Sequence, residues 1–177
     1  MNKTKLSMEE LHRISVEEFK TSKKNPIVVV LDNVRSMNNI GSIFRTCDAL
    51  RVEKLCLCGI TATPPNREIN KTALGATESV DWIYYDNTLQ CIEELKTKGY
   101  QIFSIEQAQN SVMLQDFQKD NSPCAIVLGN EVEGVEQNII DISDNVIEIP
   151  QFGTKHSFNV AVTCGIVLWD FVKRNLN

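Results

Sequence analysis

Three short runs in this chain carry no charged side chain on either face of an extended backbone: Ile27 to Leu31, Leu55 to Cys58 and Cys124 to Leu128. A strand with one wet face alternates apolar and polar residues. A continuous β-branched and aliphatic run instead needs cover on both faces, which a parallel sheet obtains from its crossover helices. Helical periodicity between the runs agrees. Ile40, Ile43, Phe44, Cys47 and Leu50 fall at i, i+3, i+4, i+7 and i+10, and Leu89, Ile92 and Leu95 form one face of a helix over Thr88 to Lys98, with Gly99 as its stop. Further strands are expected at Trp82 to Tyr85, Gln101 to Ile105 and Val146 to Ile149, and short helices at Arg67 to Thr77 and Val135 to Ile142. Residues 109–121 read as a loop or an edge element. Strands alternating with helices along the whole length predict an α/β fold, a parallel sheet flanked by helices.

The chain has 177 residues, the size of one ordinary domain. Its first 25 are polar and charged, so they read as a helical extension rather than a signal peptide, ahead of a single domain over 26–177. Ser7-Met8-Glu9-Glu10 fits a capping box opening a helix to about Lys20, and Lys20, Lys23 and Lys24 form a small basic cluster. That cluster is a solvated helix edge or an RNA-contacting arm. No apolar run reaches the ~18 to 20 residues of a membrane span, so a cytoplasmic protein without membrane contact is expected. The six cysteines include no Cys-x-x-Cys pair, and His12 and His156 complete no metal pattern, so core thiols and no metal are expected. The net charge of −5 argues against unspecific, phosphate-driven nucleic-acid binding but not against a nucleic-acid enzyme with concentrated cations.

Three polar, glycine-containing segments follow apolar strands: Asn38 to Gly41, Gly129 to Gly134 and Pro150 to Asn159. Ligands of open parallel sheets bind beyond the carboxyl ends of the strands, so three such segments point to one shared site. In the last of them Pro150 ends a strand, Gly153 permits a tight turn, Ser157 is expected as the N-cap of the following apolar helix, and Asn159 lies in its first turn. Arg45 stands on the helix after the first strand, near the same rim. There is no Gly-x-Gly-x-x-Gly, no P-loop and no Gly-x-Ser-x-Gly elbow.

In order and spacing, the segments from Asn39 to Ala49, from Leu128 to Val135, and from Ile149-Pro150 through Ser157-Phe158-Asn159 resemble the three signature motifs of the SpoU/TrmH family. This is a branch of the SPOUT superfamily of RNA methyltransferases. The resemblance implies an S-adenosyl-L-methionine-dependent methyl transfer to a ribose 2′-hydroxyl of tRNA or rRNA. It also implies a C-terminal trefoil knot (the α/β knot fold) and a homodimer with the knotted C-terminal regions at its interface, for which the apolar stretch Ile166 to Val172 is a candidate surface. By motif, Arg45 and Asn39 match the catalytic pair, and Glu131, Ser157 and Asn159 the remaining polar motif residues. The cofactor pocket would draw on Ser104, Ile105, Leu128, Gly129, Asn130, Gly134, Ile149, Pro150, Ser157, Phe158 and Asn159. Phe158 stands where leucine is usual, and Gln151-Phe152 replaces a pair that commonly bears methionine. Only residues 160–177 follow Asn159, so no basic C-terminal extension is expected. Arg45 is a general base or a phosphate and alkoxide stabiliser, with Glu131 a rival base. A non-catalytic RNA-binding protein that retains the fold is the alternative.

Overall fold

A computed structural model describes residues 3–7 and 9–173. Its centre is a seven-stranded sheet in which every pairing between strands is parallel. In chain order the elements are α1 (Val16–Thr21), β1 (Asn25–Asp32), α2 (Met37–Ala49), β2 (Val52–Cys58), α3 (Arg67–Ala73), α4 (Ala76–Ser79) and β3 (Trp82–Tyr85). Then come α5 (Thr88–Thr97), β4 (Gln101–Ile105), β5 (Val112–Met113), β6 (Cys124–Leu128), α6 (Gln137–Ile142), β7 (Asn145–Glu148) and α7 (Val160–Lys173). The strand order is β3-β2-β1-β6-β4-β7-β5.

The fully apolar runs occupy the middle, as two-sided burial demands. β1 pairs with β6 from Ile27–Cys124 to Leu31–Leu128, and β2 flanks β1. One face is covered by α2, α3 and α7, the other by α5 and α6, giving two apolar clusters. The predicted stripe of α2 is buried at Ile40, Ile43, Phe44 and Cys47. All six cysteines are buried, unpaired thiols.

Three local expectations need correction, at the N-terminus, over Arg67 to Thr77 and at Ser157, while the edge element read within residues 109–121 is found. The Ser7–Glu10 box does form, with both hydrogen bonds present, but it opens only a turn. (Met8 lies outside the described residues.) His12 turns the chain to φ 46°, and α1 begins later with a second box, Ser15 with Glu18. The helix expected over Arg67 to Thr77 is split, because Leu74 and Gly75 both take positive φ and no helix passes through them. The 109–121 segment supplies the edge strand β5. Ser157 does not cap α7. Asn159 does, its side-chain oxygen accepting from the amides of Ala161 at 2.9 Å and Val162 at 3.3 Å.

β7 follows β6 in sequence yet pairs on the far side of β4. The 150–159 segment then carries the chain back, and α7 packs against α2. This return places the carboxyl ends of β4, β6 and β7 around one opening.

Candidate active site

The opening is a cleft of about 640 Å³. Ile105 at the end of β4, Leu128 at the end of β6 and Ile149 just past β7 give it apolar walls, and the backbone of residues 129–134 forms one side. The 129–134 turn is held tight. Asn130 and Gly134 exchange both backbone hydrogen bonds at 3.0 Å, while the Asn130 side-chain oxygen accepts from the amides of Val132 and Glu133. Gly129 has no alternative here, since a Cβ on it would lie 2.1 Å from the carbonyl carbon of Gly134 and 2.2 Å from the amide nitrogen of Val135. Asn130 also donates to the Asn33 carbonyl at 2.8 Å, tying this turn to the loop after β1.

The three polar segments meet through side chains. Glu131 accepts from the amides of Arg35 at 2.9 Å and Ser36 at 3.0 Å, just ahead of α2, and from the Asn39 side-chain amide at 3.0 Å. Asn39 in turn accepts from the Asn159 side-chain amide at 3.1 Å. A hydrogen-bonded run Glu131–Asn39–Asn159 therefore joins residues 92 and 120 positions apart in the chain. Partial burial alone would raise the Glu131 carboxyl. The Arg35 and Ser36 amides and the Asn39 amide outweigh it and hold the group below the ordinary 4.5. With its oxygens engaged and its basicity lowered, Glu131 is built as a brace rather than as a strong proton acceptor.

Arg45 stands on the exposed side of α2, two turns in from its N-terminus. Among the described residues nothing hydrogen-bonds or ion-pairs with its guanidinium, so the group is free to meet a ligand. α2 itself is set by Gly41, where a Cβ would lie 2.2 Å from the Ile69 carbonyl oxygen of α3.

Of the sequence-derived cofactor residues, Ile105, Leu128, Gly129, Asn130, Gly134, Ile149, Ser157, Phe158 and Asn159 line the cleft. Pro150 lies between two lining residues without lining it. Ser104 is a correction: it is fully buried, its hydroxyl paired with that of Ser143 at 2.8 Å, because β4 turns that side chain away from the cleft. Sequence reasoning missed Glu106, Gln107 and Gln137, which also line it. Glu106 accepts from the Val135 amide at 3.2 Å, and the Gln107 side chain donates to the His156 carbonyl at 2.6 Å, so both hold neighbouring loops in place. Position just after a predicted strand end was the available signal for both.

The fit to a nucleoside-bearing cofactor is good. The volume falls within the range of small-molecule pockets, apolar side chains from three strand ends suit a flat adenine, and the turn backbones offer polar atoms around it. Among the described residues no three His, Cys, Asp or Glu side chains gather into a metal-binding group.

Residues 26–169 match the SpoU rRNA Methylase family. The chain is 33% identical over 159 residues to a tRNA (guanosine(18)-2′-O)-methyltransferase of Aquifex aeolicus, covering 88% of this chain and 72% of that protein. It is 32% identical over 143 residues to a 23S rRNA (guanosine-2′-O-)-methyltransferase of Neisseria meningitidis, covering 81% of this chain and 56% of that one. Among solved structures, the A. aeolicus TrmH/SpoU tRNA modifying enzyme superposes with a TM-score of 0.81 at 29% identity, over 91% of this chain and 81% of that. An AdoMet-bound rRNA methyltransferase from Sinorhizobium meliloti gives 0.80 at 28% identity, over 88% and 58%.

Proposed function

The chain belongs to the SpoU methylase family, and we propose that it transfers a methyl group from S-adenosyl-L-methionine to a ribose 2′-hydroxyl of tRNA or rRNA. The observation that carries this reading is the Glu131–Asn39–Asn159 run, which assembles all three motifs at the mouth of the cleft with Arg45 on the same helix as Asn39.

Bound S-adenosyl-L-methionine supplies an electrophilic methyl on a sulfonium. The residues of this chain supply position and charge. Ile105, Leu128 and Ile149 would hold the adenine, and the 129–134 and 150–159 turns, Ser157 and Phe158 included, would hold the rest of the nucleoside. Asn39 and Asn159 fix the mouth, and Glu131 holds them by bracing the N-terminus of α2. Arg45 faces outward, where a guanidinium meets an RNA phosphate and steadies the alkoxide that forms as the hydroxyl loses its proton. A guanidinium keeps its own proton in proteins and cannot accept another, so the hydroxyl proton passes to water at the open rim rather than to Arg45.

We place residues 1–25 as an extension ahead of one methyltransferase domain over 26–177, with the 150–159 return and α7 forming the trefoil knot. A homodimer is part of the same reading, although the surface differs from Ile166 to Val172. Val167, Leu168, Phe171 and Val172 are buried in the chain's own core and are not available to a partner. No helix among the described residues is long and apolar enough to cross a membrane, and a tRNA or rRNA substrate puts the enzyme at work in the cytoplasm.

The test is Arg45→Ala, with cofactor affinity measured by titration calorimetry and 2′-O-methylation measured on RNA. Methylation is expected to fall on the order of 10² to 10³-fold, the usual loss when one transition-state donor is removed, with cofactor affinity retained. Methylation near the parent rate would sink the assignment. Failure of the parent chain to bind the cofactor would favour a non-catalytic RNA-binding role.

A further inference from the structure

The basic cluster before β1 is completed by residues remote in sequence. Lys23, Lys24 and Asn25 share a groove of about 820 Å³ with Arg51 from the α2–β2 turn, Asn121, and Trp169 from α7. The groove is framed rigidly. The Asn25 side chain donates to the Leu50 carbonyl at 2.7 Å, and the Asn25 amide donates to the Arg51 carbonyl at 2.8 Å. The three cations among its described residues have different duties. Lys24 is committed to structure, its ammonium donating to the carbonyls of Phe19 and Ser22 and lying 4.3 Å over the Phe19 ring. Lys23 and Arg51 are exposed, and among the described residues neither side chain has a hydrogen-bond or ion-pair partner. Among the described residues no carboxylate lines the groove, in a chain whose net charge is −5.

A cation just past α2 complements the negative end of that helix. This accounts for Arg51 alone, not for its convergence with Lys23 from another segment beside an exposed indole. We propose that the groove binds the phosphate backbone of the RNA substrate through Lys23 and Arg51, an inference that rests on the methyltransferase reading. Phosphate contacts position a nucleic acid without reading its sequence, and Trp169 forms an aromatic wall of the kind on which unpaired bases stack. The groove lies at the amino end of β1 and the cleft at the carboxyl ends of the neighbouring strands. The eight residues of β1 span roughly 25 Å. The two sites therefore hold parts of the RNA that are several nucleotides apart, and a folded or extended RNA is bound where a nucleoside is not.

The experiment uses the full chain and a labelled 15-nucleotide oligouridylate, with affinity read by fluorescence anisotropy across a series of salt concentrations. Parent, Lys23→Gln, Arg51→Gln and the double variant are compared, each also titrated with S-adenosyl-L-methionine. On single strands each neutralised phosphate contributes about 0.7 to the slope of log affinity against log salt. Each single variant is expected to lower the slope by about 0.7 and the double by about 1.4, with low-salt affinity in the double falling on the order of tenfold. Cofactor affinity stays at the parent value. Parental slopes in variants that still bind the cofactor overturn the groove assignment and leave the methyltransferase reading intact. A parent chain that binds the cofactor but no RNA at low salt also overturns it. One that binds neither overturns both.

Discussion

Replacing Glu131 by glutamine separates its bracing role from a proton-accepting one. The carboxylate accepts three N–H bonds, from Arg35, Ser36 and Asn39. A hydrogen bond to a charged group is worth about 1.5–3 kcal/mol when well shielded. Glu131 is an exposed residue, so solvent screening reduces each bond to about 0.5–1 kcal/mol. Glutamine can keep its one oxygen where Ser36 and Asn39 donate, but those bonds lose their charge and its NH₂ opposes the Arg35 N–H, a net loss equivalent to about two bonds. The expected destabilisation at pH 7 is ~1–2 kcal/mol, or roughly 2–8 °C in melting temperature for a chain of this size.

The pH dependence is the sharper test. The native carboxyl sits below its ordinary 4.5, so its stabilisation is fully present above about pH 4.5 and lost as pH falls through the native value. Urea titrations of parent and Glu131→Gln should therefore differ by a constant amount from pH 7 to about 5 and converge only as the pH falls through the native carboxyl's own, lowered value. A gap smaller than about 0.3 kcal/mol at neutral pH, or one that persists undiminished in acid, refutes the brace.

Two further outcomes follow from the same geometry. Gly129→Ala drives a Cβ into the backbone of Gly134 and Val135, which cannot yield as a flexible side chain would; the expected result is a loss of ~2–4 kcal/mol in urea titration and cofactor binding weakened at least about tenfold. Asn159→Ala removes the α7 cap, worth ~1 kcal/mol, together with the bond to Asn39, so its thermal midpoint should fall further than that of an exposed mid-helix substitution such as Val162→Ala.

The strand framework was legible because burial on both faces leaves a pattern that survives in one dimension. Gln101–Ile105 and Cys124–Leu128 have the bounds of their apolar runs, whereas Trp82–Tyr85 is a half-exposed edge strand legible only from its aromatic and β-branched residues. Asn39, Glu131 and Asn159 were legible as polar residues at strand ends beside glycine, although their contacts were not, since these depend on how α2 and the 150–159 segment approach each other. Ser104 misled because alternation within β4 decides which side chains reach the cleft, and its hydroxyl is satisfied on the other side by Ser143. Ser157 misled because Asn159, two residues on, has the shorter path to the free amides of α7. The N-terminal misreading came from two successive Ser-x-x-Glu patterns, of which only Ser15–Glu18 is continued by a helix. Arg51 and Trp169 carry no local signal, and only the packed chain brings them beside Lys23.

The Glu131–Asn39–Asn159 run also sets the moment at which the molecule becomes competent. Asn39 is among the first of these residues to leave the ribosome and Asn159 among the last, and neither has its site geometry until α7 has docked against α2. A chain cut before α7 lacks the Asn39–Asn159 link at the mouth of its cleft together with the core side chains Val167, Leu168 and Phe171. Methyl transfer is thereby reserved for finished molecules, and appearance of cofactor binding during refolding is a clock for the last step of assembly rather than for collapse of the sheet.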